Sequence, residues 1–163
     1  MADILNCLCA SGLAYTACCE KYLNGSEQAE TAQALMRSRY SAFVAAQKDY
    51  LLRTWHESSR PSQFVLEQSD NLQWLGLTII DTEHGAAEDK RGIVEFVASY
   101  KTSNGEQSLH ERSYFVKEQG LWFYLSGEIK KVAHSSAGKT SRNAPCPCGS
   151  GKKFKRCCAD KNA

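Results

Sequence analysis

Cysteine is missing from the whole middle of this chain. Of its 163 residues, everything from Glu20 to Pro145 is free of it. A disulfide-stapled core is therefore excluded for that stretch. No apolar run approaches the roughly 20 residues that a bilayer-crossing helix needs, so no membrane insertion is expected. The start, Met1-Ala2-Asp3-Ile4-Leu5-Asn6, has neither the basic opening nor the apolar stretch of a secretory signal. A reducing cytoplasm is the expected compartment. Signatures of catalysis are also lacking: there is no nucleophile elbow and no paired-carboxylate pattern. Gly149-Ser150-Gly151-Lys152 invites a phosphate-loop reading, but Cys146 stands where the first glycine belongs and Lys153 where Ser or Thr belongs. What remains is ordinary for one globular core with small attachments: 42% hydrophobic and 23% charged residues.

The eight cysteines fall into two sets of one spacing. Cys7, Cys9, Cys18 and Cys19 open the chain, and Cys146, Cys148, Cys157 and Cys158 close it, each exactly matched pair offset by 139 positions. The spacing is C-x-C, eight residues, then C-C. In the second set Pro147 stiffens the first segment, and Gly149 with Gly151 permits the reversal that brings the cysteine pair back. Four thiolates arranged in this way match a tetrahedral Zn²⁺ site, one per set. Disulfides and buried free thiols are the alternatives. The first need an oxidising compartment, and neither explains why the spacing recurs. Iron is the competing metal. A module of about twenty residues cannot bury a core of its own, so metal would supply its folding energy. A four-thiolate site has no open coordination position, which makes it structural.

Charge is uneven. The formal net is +2 with neutral thiols. From Lys139 onward there are Lys139, Arg142, Lys152, Lys153, Lys155, Arg156 and Lys161 against Asp160 alone. One end is basic and the body acidic. Two four-thiolate zinc sites would bring the whole chain to about −2.

Between the cysteine sets, hydrophobic periodicity changes once. Asn24 with Glu27 fits a capping box in outline, and Ser26 is an equally good cap. Ala32, Leu35, Met36, Tyr40, Phe43 and Val44 then recur at helical spacing, which predicts a helix over about 28–46. Arg37, Arg39 and Gln47 fall off that stripe, and Arg37 and Arg39 are candidates to pair with acids at the domain rim. Asp49 is placed to cap a second helix through Tyr50, Leu51, Leu52 and Trp55, ending before Pro61. From Trp74 the period is two, with strands predicted at 74–82, 93–102, 109–117 and 121–126. Asn104-Gly105 marks a hairpin. Residues 133–144 are small and polar and read as a linker. Two helices followed by four meandering strands imply an α+β fold: a curved antiparallel sheet packed on N-terminal helices, with a four-cysteine module at each end. The expected divisions are 1–23, 24–132, 133–144 and 145–163.

Pro145 through Cys158 resembles the SEC-C motif, the zinc-binding tail of the translocation ATPase SecA, where it contacts the chaperone SecB. The resemblance implies that Cys146, Cys148, Cys157 and Cys158 are all ligands. The N-terminal copy departs from it: Ala10-Ser11-Gly12-Leu13-Ala14 replaces Gly-Ser-Gly-Lys-Lys, and Leu8 replaces proline. Metal ligation carries over there, and a basic recognition surface does not. Leu35-Met36-Arg37-Ser38-Arg39-Tyr40-Ser41-Ala42-Phe43 and Asp49-Tyr50-Leu51-Leu52-Arg53-Thr54-Trp55-His56 resemble the YchJ-type family. That resemblance implies a nuclear-transport-factor-2-like, cystatin-like cone flanked by two SEC-C motifs, and it carries no activity with it.

Candidate sites follow. Tyr40, Trp55, His56, Trp74, Tyr114 and Trp122 are candidates for the wall or mouth of a pocket in the cone, against the alternative that they are core aromatics. His56 with Asp49 is a candidate acid–base pair, against a structural histidine. His84 lies in a polar run and is expected to be solvated. His110 and Glu111, neighbours on a strand, should face opposite sides. Lys152, Lys153, Lys155 and Arg156 are candidates to dock an acidic protein surface. A ligand-binding or enzymatic cone is one alternative function. Nucleic-acid or ribosome binding through the knuckle and Phe154 is another. No residue pattern marks an oligomeric state.

Overall fold

A computed structural model of the chain describes residues 6–66 and 71–130. The C-terminal cysteine set, its four basic residues and the linker lie outside the described residues. After a 3-10 turn at Tyr15–Ala17 come α1 (Glu20–Leu23), α2 (Ala32–Val44) and α3 (Lys48–Arg53). Four strands follow: β1 (Gln73–His84), β2 (Arg91–Thr102), β3 (Gly105–Glu118) and β4 (Leu121–Lys130). They form one antiparallel sheet in the order β1-β2-β3-β4. The predicted meander is present. β3 begins earlier than its sequence pattern suggests because the tight turn lets pairing run to Thr102 and Gly105, and β4 ends later because its pairing with β3 continues to Lys130, opposite His110. At the β3–β4 turn Gln119 (φ 49°) and Gly120 (φ 81°) both adopt positive φ, the signature of a two-residue turn that matches strand twist.

Three bulges bend the sheet. Leu75 and Ile80 have no partner in the β1–β2 register, nor does Leu125 in the β3–β4 register. An unpaired residue on one strand increases local twist and curvature. On β2, Val94, Phe96 and Ala98 are buried, as the alternation predicts. They join Leu35, Met36, Tyr40 and Leu51 from the helices and Phe115 and Trp122 from the sheet in one core cluster.

The start of the main helix differs from the sequence prediction. α2 begins at Ala32, where Thr31 Oγ1 accepts the Ala34 N–H at 3.0 Å. Asn24, Ser26 and Glu27 close a loop instead: Asn24 Oδ1 accepts from Ser26 N at 2.9 Å, and Glu27 pairs with Lys21 at 2.8 Å. Asn24 prefers this local side-chain turn, which competes with helix capping. α3 starts one residue ahead of Asp49, which sits in its first turn rather than at its cap. Trp55 lies beyond α3, bridged to Tyr124 of β4.

One close approach fixes where α2 meets the sheet. Ala32 N donates to Gly85 O at 2.9 Å. A Cβ at Gly92 would lie 2.6 Å from Gly85 Cα and 2.8 Å from Ala32 Cβ. Only glycine fits there.

Candidate functional site

The N-terminal cysteines converge. Cys7 N donates to Leu13 O at 2.8 Å and Ala10 N to Cys7 O at 3.0 Å, so the segment folds back on itself and is closed by a bridge between Asn6 and Ala14. Ala10 (φ 57°) and Gly12 (φ 80°) make the reversal. The 3-10 turn then delivers Cys18 and Cys19 to the same point. All four Sγ atoms lie within 4.8 Å of one another, with Cys9–Cys18 at 3.7 Å and Cys18–Cys19 at 3.8 Å. A tetrahedron with Zn–S of about 2.3 Å has S···S edges of about 3.8 Å. A disulfide would need about 2.05 Å, and all four cysteines are free. The donor set and its spacing therefore fit a tetrahedral metal ion.

The thiols share their protons unevenly, with the negative charge favoured on Cys9 over Cys18 and Cys19. The Cys9 thiol is held down to about 4, chiefly because Cys19 donates its S–H to the Cys9 thiolate, while burial opposes this. Cys19 is correspondingly pushed up as the proton holder beside that anion. Cys18 is raised, first by burial. Ser11 Oγ lies 3.3 Å from Cys18 Sγ and Ser41 Oγ lies 3.8 Å from Cys7 Sγ. A metal ion would replace the shared protons.

This module packs directly on the helices. Cys7, Cys9, Cys19 and Leu23 belong to the same buried cluster as the α2 core. Arg37 Nη1 donates to Cys9 O at 3.2 Å, and Arg53 Nη2 donates to Tyr22 O and Leu23 O at 3.2 and 3.0 Å. Arg37 is thus a strut between helix and module, and among the described residues it pairs with no acid.

The cone holds a cavity of about 180 Å³. Of the six candidate wall residues, Tyr40, Trp55 and Trp74 line it, and His56, Tyr114 and Trp122 do not. Tyr114 is out of phase, since β3 turns Leu109, Glu111, Ser113 and Phe115 toward the core side. Trp122 is buried elsewhere, its Nε1 donating to Glu30 O at 2.9 Å. His56 sits past the Trp55 bridge, edge-on to Phe123, with Nδ1 2.6 Å from Ser58 Oγ and Nε2 3.2 Å from Glu118 Oε1. Its partners are Ser58 and Glu118, and not Asp49. The separation from Glu118 suits an ion pair, but the direction does not suit a hydrogen bond. His84 is exposed, as expected. His110 pairs with Glu95 at 2.7 Å on one face of the sheet while Glu111 faces the cavity, so strand alternation separates them as predicted.

Two charged residues line the cavity: Arg39, expected at the domain rim, and Glu111, expected only to face away from His110. Arg39 is 3% exposed. Its Nη1 donates to Leu51 O at 2.8 Å and Thr54 Oγ1 at 2.7 Å, and its guanidinium lies over the rings of Trp55 and Tyr124 at 5.4 and 4.7 Å. Burial pulls it down to about 10, with nearby Tyr124, Tyr50 and Glu111 opposing. Glu111 Oε1 accepts from Ser113 Oγ at 2.6 Å and Tyr124 OH at 3.2 Å. A signal for Glu111 was present: counting by twos from Leu109 places it on the inward face.

Comparison with known proteins agrees with this architecture. The family profile described as YchJ, middle NTF2-like domain, matches residues 31–127, and the SEC-C motif matches residues 142–160. A UPF0225 protein of Serratia proteamaculans is 43% identical over 157 residues, covering 93% of this chain and 96% of the relative. One from Enterobacter sp. is 43% identical over 155 residues, with the same coverage. The solution structure of a SEC-C motif containing protein from Rhodopseudomonas palustris superposes with a TM-score of 0.68 at 34% identity, covering 77% of this chain and 99% of that one. A crystal structure of a SEC-C motif containing protein from Psychrobacter arcticus gives 0.62 at 31% identity, covering 96% and 90%. With residues 31–127 matched by the middle-domain profile and relatives aligned over 93% of the chain, the chain belongs to the YchJ (UPF0225) family, an NTF2-like domain joined to a SEC-C motif.

Proposed function

We propose that this protein is a zinc-dependent adaptor of the reducing cytoplasm. In this reading Cys7, Cys9, Cys18 and Cys19 hold one Zn²⁺, and Cys146, Cys148, Cys157 and Cys158 hold a second. Both ions are structural, because four thiolates leave no position for substrate. The observation that supports the reading is the convergence of four Sγ atoms within 4.8 Å in a largely buried setting. The first ion would pin the N-terminal module to α2. The second would fold the basic knuckle, whose Lys152, Lys153, Lys155 and Arg156 engage an acidic protein surface, with electrostatics setting association rate and specificity.

The test uses the full chain. Zinc-loaded protein and a variant with alanine at all four basic positions are used to capture partners from a cytoplasmic extract. The proposal expects acidic proteins held by the wild type, released as salt rises, and lost from the variant. Recovery of the same proteins by the quadruple-alanine variant would overturn the docking assignment.

A further inference from the structure

The rings of the cone leave room between them. A cavity of about 180 Å³ exceeds the roughly 150 Å³ apolar cavity that accepts benzene. Tyr40, Phe43, Trp55, Phe64, Trp74 and Phe96 all line it. A planar ring would meet aromatic edges and faces on several sides.

Two features set this cavity apart from a packing gap. Burying a guanidinium is costly unless it is paired, yet Arg39 forms no ion pair among the described residues. Its two hydrogen bonds both leave from Nη1, and a guanidinium has five N–H donors. Opposite in charge, Glu111 also lines the cavity, held by Ser113 and by Tyr124, whose ring lies beneath Arg39. Tyr124 thus links the two charges. A ligand anion would be drawn to Arg39 but repelled by Glu111, and a cation would meet the reverse. An amide or lactam edge satisfies both, since its carbonyl accepts from the guanidinium while its N–H donates to the carboxylate.

We propose that the cone binds a small, planar, uncharged one-ring compound carrying an amide or lactam edge, the ring among the aromatic wall and the edge between Arg39 and Glu111. The site is independent of the zinc-dependent adaptor reading.

The experiment titrates full-length, zinc-loaded protein with three one-ring probes: benzamide, benzoate of the same shape, and toluene without the polar edge. Binding is read by changes in the amide spectrum of the protein. Benzamide is expected to bind more tightly than either of the others. Glu111→Gln should weaken benzamide about tenfold, the loss expected for a hydrogen bond to a charged group, and Phe96→Trp should exclude it by filling the cavity. Both variants are checked for an unchanged fold by their spectra. No benzamide binding to the folded wild type would overturn the proposal. So would tighter binding of benzoate or toluene, or an affinity unaffected by Glu111→Gln in a folded variant.

Discussion

Ala10 stands where the C-terminal cysteine set has Gly149, and it adopts φ 57°. A side chain in that left-handed region costs roughly 1–2 kcal/mol. Ala10→Gly should therefore raise stability by about 0.5–1 kcal/mol once the added freedom of the unfolded chain is discounted, read as a higher urea midpoint with an unchanged slope. The opposite holds at Gly92, where a methyl group would meet Gly85 Cα and Ala32 Cβ. Gly92→Ala should cost about 1–3 kcal/mol, because backbone on both sides must move. Neither position could be ranked from sequence. Ala10 announces itself only against the second cysteine set, and Gly92 only when a helix start is seen resting on a hairpin. Arg39 was similarly opaque: a charged residue off the apolar stripe reads as solvent-facing until Leu51 O, Thr54 and two aromatic rings are known to surround it.

At the scale of elements, the strands were legible because one face of each is buried and the alternation survives in sequence: Val94, Phe96 and Ala98 point inward on β2. The start of α2 was not legible, because Asn24, Ser26 and Thr31 are all competent caps and tertiary contacts choose among them. Cross-strand side chains supply a pH dependence. Glu95 of β2 is lowered from its ordinary value, first by its hydrogen bond with His110 of β3 and further by Arg112, which also reaches Glu83 at 2.6 Å. A carboxylate depressed on folding contributes stability that is present above its unfolded value of about 4.3 and is lost as pH falls through the folded value. Urea midpoints should therefore drop on acidification below about pH 4.5. Glu95→Gln should flatten that part of the profile, and a profile identical to wild type would count against the pairing.

For the molecule as a whole, the repeated cysteine spacing made the N-terminal cluster of four thiols legible before any fold was known. That the module shares its core with α2, held by Arg37 and Arg53, was not legible, since these contacts link residues about thirty apart through side chains with no sequence signature. If the proposed ion is held by Cys7, Cys9, Cys18 and Cys19, the shared core predicts that its removal loosens α2 as well as the module. Burial in the cone adds an alkaline sensitivity: it pushes Tyr40 up to about 12 and raises Tyr124 beyond its ordinary range. A phenol raised on folding stabilises the protein below its unfolded value near 10, and that contribution is lost as pH rises from there. Unfolding above about pH 10 should be less steep in Tyr40→Phe, provided the variant keeps its core.

We propose that thiolate-held zinc organises both cysteine modules, and elemental analysis of reduced, full-length protein decides it. Two zinc ions per chain are expected, falling to one when Cys9 and Cys19 become serine and to one when Cys157 and Cys158 do, with α2 amides losing protection from exchange only in the first variant. Reduced protein carrying no metal, with the Cys7–Cys19 module and α2 still fully protected, would contradict it.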